Sequence, residues 1–463
     1  MKKQKICYFT GASGRDRLFF SLSREMGKKG FDSVFISSSW GNTSFLKDKI
    51  SKNKLFEILA FHPKKVKYDL KKIREYEKKY NLNLWQLWSV TYPRRAHRIK
   101  REFAYSYFQY TAEAAERFFS KHKPDYLVCY GPSSYHAFLI CIIASAFGTK
   151  VIELVHSRAR NRFSINDSLT NIWPVLEKEY NKIKKRSLSE AEKKKADDFI
   201  TNFTEKPKKA QSEDKYRESF FTFCARVGRW VLRNLRKGQI PPEIKKIKWK
   251  IRAFWLKHMG YFENPKKGEK YVFYPLHFQP EVSTLFYGRW YVNQLNLIQN
   301  ISKAIPADHL LYVKAHSGHI GSDKLSFYKE IKKIPNVKLI LPYANTFNLI
   351  KRASLIATIT GTVGFEALFY RKPVITFGDV FYNVFDDVAK IGRVRDLPEL
   401  INKMMGIRIK RENLQKFIYS LLNSTYEGFV LLPGDTKDKS LDQENIKKMA
   451  GGIQKYISYI DGV

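Results

Sequence analysis

Between Tyr271 and Phe377 the chain alternates short apolar runs with loops and with stretches of helical periodicity, and no other feature restricts its fold as much. An apolar run without polar alternation is what a strand buried on both faces looks like, and such strands belong to parallel sheets covered by helices. The pattern predicts strands at 271–275, 310–315, 337–341, 354–359 and 373–377, with helices at 290–304, 346–352 and 363–370. A second series opens the chain: strand 6–9, a glycine-bearing loop at 10–16, helix 17–27 and strand 33–36. After a charged helical stretch at 63–120 it resumes with strand 126–129, helix 134–147 and strand 151–155. The fold class is therefore α/β, with two Rossmann-like domains. We expect them at 1–175 and 266–430, separated by a helical, basic insertion or linker at 176–265 and followed by a tail or helix at 431–463.

At 463 residues the chain exceeds what one hydrophobic core usually organises, which agrees with two domains. Lys and Arg number 84 against 44 Asp and Glu, so 84 − 44 leaves a formal charge of +40 and an attraction for polyanions. Nucleic acid, an anionic membrane surface and an acidic substrate all qualify, but no nucleic-acid motif is present. Part of the excess is lysine spread over solvated faces. Cys7, Cys129, Cys141 and Cys224 form no Cys-x-x-Cys pair, which fits a reducing cytoplasm. The apolar run Ala137–Phe147 falls far short of the roughly 20 residues that span a bilayer, so membrane contact is expected to be peripheral. Two stripes suit that contact: Phe220, Phe223, Val227, Trp230, Val231 and Leu235, and then Ile244, Ile247, Ile251 and Phe254 or Trp255 among Lys245, Lys246, Lys248, Lys250 and Arg252. The alternative is that these stripes dock on the protein's own core.

Ligands of open parallel sheets sit beyond the carboxyl ends of the strands. In the second series those loops hold His277, Gln279 and Ser283, then Lys314 and His316, then Thr360-Gly361-Thr362 at the start of a helix carrying Glu366. Glycine, hydroxyls and a helix N-terminus suit a phosphate, although an ordinary capped strand-to-helix turn reads the same way. Lys314 and His316 add donors, or are surface residues. Glu366 binds a ribose hydroxyl pair or faces solvent. In the first series Asp16, Glu153, His156 and Asp167 are candidates for a general base, any one of which would serve, and each is equally a capping or salt-bridged residue. Arg158, Arg160 and Arg162 hold an acidic acceptor or are plain surface charge.

Taken together, Tyr271-Val-Phe-Tyr-Pro-Leu-His-Phe-Gln-Pro280, Val313-Lys-Ala-His316, Pro335-Asn-Val337, Ile359-Thr-Gly-Thr-Val-Gly-Phe-Glu-Ala367 and Lys372-Pro-Val-Ile-Thr-Phe-Gly378 resemble the capsule-polysaccharide biosynthesis glycosyltransferase family, which contains the Kdo transferases of capsule assembly. The resemblance covers about residues 270–385 and extends thinly to Pro124-Asp125 and Gly148–Val151. It implies a GT-B fold whose two Rossmann-like domains face a cleft, the acceptor held by the N-terminal half and a nucleotide-sugar donor by the C-terminal half. Donor phosphate contacts then map to His316, Thr360, Gly361 and Thr362, and a nucleoside contact to Glu366. The sequence departs from the common Lys-x-His-Pro pattern in having Ser317 after His316. There is no Asp-x-Asp triplet, so metal-independent transfer without a cofactor is expected.

The expected activity is transfer of a sugar, of the Kdo or sialic-acid type, from a CMP-linked donor to a glycan or glycolipid acceptor, on the cytoplasmic face of the cell membrane. Two alternatives remain at this level: polyol-phosphate transfer from a CDP-linked donor, as in teichoic-acid polymerases, and a non-catalytic basic scaffold bound to membrane or polyanion.

Overall fold

Ile6, Cys7 and Tyr8 are wholly buried, as an interior strand of a helix-covered sheet requires. The computed structural model describes residues 3–10, 15–37, 44–58, 68–90, 100–132, 134–159, 161–167, 169–205, 221–222, 224–225, 228–229, 249, 251–253, 255–256, 259–315, 320–321, 323–430 and 439–462. Their strands are β1 (Lys5–Thr10), β2 (Asp32–Ser37), β3 (Leu55–Glu57), β4 (Tyr126–Tyr130), β5 (Lys150–His156), β6 (Arg162–Asn166), β7 (Tyr271–Pro275), β8 (Leu310–Lys314), β9 (Val337–Ile340), β10 (Leu355–Thr358), β11 (Val374–Thr376), β12 (Val388–Lys390) and β13 (Tyr426–Glu427). They form two sheets in two compact units. One unit comprises Met1–Ser187, Pro280–Phe286 and Tyr419–Val463, the other Leu188–Gln279 and Tyr287–Ile418.

The first sheet has the order β13-β6-β5-β4-β1-β2-β3. β1 to β5 pair in parallel, while β6 runs antiparallel to β5, and β13 to β6. Helix Asp16–Lys28 turns Leu18, Phe19, Leu22 and Met26 toward the sheet, the spacing of one helical face. The same core takes in Ile446, Met449, Ile453 and Ile457 of the final helix Gln443–Asp461. Asp461 near its end accepts hydrogen bonds from Gln4 at 2.9 Å and Lys150 at 2.7 Å, and from Tyr126. The segment expected as a tail or helix at 431–463 ends in the helix Gln443–Asp461, a layer of the first unit because its apolar stripe is buried there. The return begins at Tyr419, ahead of the expected boundary at 430.

The second sheet has the order β12-β11-β10-β7-β8-β9 and is parallel throughout. The expected strands all form, with β12 added at one edge, and the helix expected from 290 begins at Gln294 because Arg289–Tyr291 makes a tighter 3₁₀ turn. The region 176–265 is not one insertion. Its first part, with Leu176, Tyr180 and Ile183 buried, belongs to the first unit. Helix Glu190–Glu205 belongs to the second, where Phe203 stacks on Phe369 at 3.9 Å and Asp197 meets Arg411 at 3.1 Å and Gln415 at 2.9 Å. Of the two basic stripes, Phe220, Phe223, Val227, Trp230, Val231, Leu235, Ile244, Ile247, Phe254 and the four lysines lie outside the described residues. In the described part, Leu256 is buried in the second core, while Ile251 and Trp255 are 42% and 53% exposed.

Candidate functional site

The carboxyl ends of β10, β7 and β8 lie side by side, and each carries part of one polar assembly. His277, two residues past β7, accepts the Ile359 N–H on Nε2 at 3.0 Å and meets the Thr358 hydroxyl at 3.0 Å. A ring nitrogen that accepts an amide hydrogen carries no proton, so the network assigns a neutral imidazole with its proton on Nδ1. Gln294 holds the His277 backbone from both sides, accepting its N–H at 2.7 Å and donating to its carbonyl at 3.1 Å. The role of His277 is to brace the turn after β10.

That turn is built for close approach. A Cβ on Gly361 would stand 2.6 Å from Thr358 Oγ1, and one on Gly364 would stand 2.3 Å from the Tyr382 hydroxyl. Tyr382 donates to the Gly361 carbonyl at 2.6 Å, locking the turn onto the following loop. The Gly361 N–H is taken by Thr358 Oγ1 at 3.1 Å, and Thr360 is buried with its methyl toward Gly378. Of the turn's three residues among those expected to meet a phosphate, Thr360, Gly361 and Thr362, only Thr362 is exposed. At the start of helix Thr362–Leu368 the N–H groups of Thr362 and Val363 have no intrahelical acceptor and no other partner among the described residues. Amides in that state, with the Thr362 hydroxyl beside them, can donate to an anion.

Lys314 ends β8, half-buried, and pairs in register with Pro275 at the end of β7. His316 lies outside the described residues. Glu366 is half-buried one turn into the helix, where burial and its charge push the Tyr370 phenol up. Two expected donor residues are engaged elsewhere. Gln279 donates to the Val292 carbonyl at 2.8 Å, and Ser283 bonds the Glu281 carboxylate at 3.3 Å in a segment of the first unit. Sequence reasoning passed over Trp290, which is 83% exposed beside Arg289 in the loop whose Tyr287 carbonyl accepts the Asp379 N–H at 3.0 Å. The turn-forming Gly288-Arg-Trp sequence, placing a large aromatic where no strand or helix would bury it, was the available signal.

In the first unit, β1, β4 and β5 end at the same edge. Asp16 begins the helix after β1, is buried, and has its carboxyl pushed up to about 6 by that burial. Arg15 beside it lies over the Tyr130 ring at the end of β4, and His156 at the end of β5 meets that ring edge-on at 6.2 Å. Glu153 is buried and accepts from Asn166 Nδ2 at 2.8 Å. Asp167 is not at this edge. Since Asn166 pairs with Glu153 in an antiparallel strand, Asp167 lies back toward the start of β5, where it accepts the Leu169 N–H at 2.9 Å in a tight turn. Arg162 is likewise committed, donating to Thr425 Oγ1 at 2.7 Å and to the Leu422 carbonyl at 3.3 Å. Arg158 is exposed and Arg160 lies outside the described residues. The edge thus brings together Asp16, Arg15 and His156, with Glu153 a short way down β5.

Residues 189–386 match the model of a family described as capsule polysaccharide biosynthesis proteins. The resemblance to the capsule family therefore holds over that segment. It starts one residue after the chain enters the second unit and contains β7 to β11 and the whole turn at Thr360–Gly364. No curated protein matches the chain in sequence. Solved structures that align with the chain include the KpsC beta Kdo 2,7 transferase of Thermosulfurimonas dismutans, at 14% identity over 84% of this chain and 98% of that one, with a TM-score of 0.39. The UDP-GlcNAc 2-epimerase of Methanocaldococcus jannaschii aligns at 13% identity over 88% and 94%, with a TM-score of 0.30. A glycosyltransferase from Rickettsia africae aligns at 12% identity over 99% of each chain, with the same score of 0.30.

Proposed function

We propose that the protein is a glycosyltransferase of surface polysaccharide biosynthesis that transfers a sugar, of the Kdo or sialic-acid type, from a CMP-linked donor to a glycan or glycolipid acceptor. The observation that carries this reading is the capsule-family segment, because it contains the turn whose Thr362 and Val363 amides stand unpaired at the carboxyl edge of the second sheet. Amides at a helix start, with a lysine two strands away at the same edge of the sheet, stabilise a phosphate without a metal ion. With Gln279 and Ser283 engaged and the Gly361 N–H internal, the set is small and suits the single phosphate of a CMP-sugar better than a pyrophosphate. Asp16 is the candidate base for the acceptor hydroxyl.

A ligand that binds only the folded state raises its melting temperature by mass action. CMP is expected to protect the protein more than UMP, UDP, CDP or GDP, and to do so equally in EDTA. Protection by CDP instead would move the donor to a polyol class, and loss of all protection in EDTA would end the metal-independent reading.

We further place the protein on the inner face of an anionic membrane, through the segment around 249–259. The support is the exposure of Ile251, Trp255 and Met259, the last 52% exposed, beside the lysines and arginines of the same stretch of sequence. Flotation with anionic vesicles should succeed at low salt, fade as salt rises, and fail when Trp255 and Ile251 are both changed to Ser. Undiminished flotation of that variant would remove the segment from the membrane.

A further inference from the structure

Arg15 carries a charge that the folding of the first unit does not explain. It stands between the end of β1 and helix Asp16–Lys28, with its guanidinium carbon 3.2 Å from the centroid of the Tyr130 ring and Nη1 3.5 Å from the Tyr130 carbonyl. Burial lowers its pKa, so the cation is partly withdrawn from water. Among the described residues no carboxylate pairs with it. Nor do the loops that follow β1, β2, β4 and β5 offer one in their sequence. Gly11–Gly14, Ser38–Thr43, Gly131–Ser134 and Ser157–Asn161, which follow β1, β2, β4 and β5, contain no Asp or Glu and two further arginines. The adjacent acid, Asp16, has its carboxyl pushed up by burial rather than held down by the guanidinium. An unpaired cation moved out of water costs stability that an aromatic face returns only in part. Folding alone therefore gives no reason to keep Arg15 in this position.

We propose that Arg15, held flat by Tyr130, is an oxyanion-binding residue of the first unit and receives a carboxylate or phosphate of the acceptor. Stacking uses the face of a guanidinium and leaves its N–H edge in plane, the geometry that binds a carboxylate or phosphate through two parallel hydrogen bonds. The position also fits, since ligands of open parallel sheets bind at the carboxyl ends of the strands and both β1 and β4 end here. Arg15 takes the role expected of Arg158, Arg160 and Arg162, of which Arg162 is already spent on the C-terminal segment. Assigning the oxyanion to the acceptor rests on the transferase reading; the subsite itself does not.

The test is calorimetric titration of the full chain with glycerol 3-phosphate and, separately, with glucuronate, for wild type, Arg15→Ala, Arg15→Lys and Tyr130→Phe. Wild type binds at least one probe, and the stronger of the two tells a phosphorylated acceptor from an acidic sugar. Arg15→Ala weakens binding by about 10- to 100-fold, as expected for loss of charge-assisted hydrogen bonds. Arg15→Lys is weakened as well, because an ammonium neither stacks nor forks. Tyr130→Phe keeps the ring and stays within about twofold of wild type. In a transfer assay Arg15→Ala raises the acceptor KM and leaves the donor KM unchanged. Equal binding by wild type and both Arg15 variants, or no binding of either probe by folded wild type, overturns the proposal. Arg15-dependent binding without any protection by CMP would leave the subsite standing and remove the transferase reading instead.

Discussion

Asp16→Asn should lower transfer by about 10²- to 10⁴-fold, the usual contribution of a general base, and at the same time stabilise the fold above pH 6. The two effects have one cause. Burial lifts the folded-state carboxyl to about 6, whereas an Asp in the unfolded chain titrates at about 3.9. Between those values the folded state holds a proton that the unfolded state has released, so stability falls as the pH rises from about 4 to about 6 and stays lower beyond. Asparagine cannot ionise and escapes that fall. A negative charge in the first helical turn normally helps by about 0.3–1 kcal/mol, but a raised pKa means that burial outweighs the dipole here. The residual solvent contact of the carboxylate reduces the gain below the full linkage value, to about 1–2 kcal/mol at pH 8. Urea melts of both proteins at pH 4.5 and 8 measure the stability half of the prediction. The pH profile of wild-type kcat/KM, falling below an apparent pKa near 6, measures the catalytic half. A variant that is inactive and also less stable at pH 8 would make Asp16 structural, and a fully active one would return the base to Glu153 or His156.

Gly364→Ala should destabilise the second unit by about 2–6 kcal/mol. The added carbon would meet the Tyr382 hydroxyl at 2.3 Å and its Cζ at 2.8 Å, and Tyr382 is fully buried with its hydroxyl bonded to the Gly361 carbonyl. Overpacking of this kind costs about 1–3 kcal/mol, and a buried hydrogen bond left unmade adds about 1–3 kcal/mol. Against a total stability of about 5–15 kcal/mol, that is a large fraction. Because the displaced bond ends on Gly361, the turn that would hold the phosphate shifts too, and protection by CMP should weaken with it. Tyr382→Phe alone should cost about 1 kcal/mol, and combined with Gly364→Ala it should recover part of the loss, since the clashing oxygen is gone. Additive costs in that double-mutant cycle would show that the two groups do not meet.

The parallel strands of both sheets could be read from the chain because the interior ones are buried on both faces. Ile6–Phe9, Tyr126–Cys129, Val272–Tyr274 and Leu355–Ala357 are uninterrupted apolar runs for that reason. The glycines and hydroxyls of Thr360–Gly364 marked a strand-to-helix turn, but an ordinary capped turn and a phosphate turn read alike there. What the runs could not reveal were β3, β6, β12 and β13, which are short or mix charged and polar residues with apolar ones. β6 buries Ser164 and Asn166 as deeply as Phe163, and only the neighbouring strands and the final helix make that possible. Nor could local pattern show that residues 419–462 complete the first sheet, because an amphipathic helix does not name the surface it covers.

Side-chain roles divide along the same line. Asp16, Glu153, His156 and Asp167 look alike as polar residues after strands, and Arg158, Arg160 and Arg162 look alike as a basic cluster. The antiparallel turn-back of β6 sends Asp167 away from the edge where Asp16 and His156 sit, and the return of Thr425 consumes Arg162. Arg15 meets Tyr130 although 115 residues separate them, because parallel pairing of β1 with β4 brings their carboxyl ends side by side. The strand-and-helix grammar and the positions of the polar loops depend on burial and on backbone conformation within a few residues, so they could be read along the chain. The tertiary structure alone decided which charged side chains are spent on the fold and which remain for a ligand, because desolvation and pairing depend on neighbours that are distant in the chain.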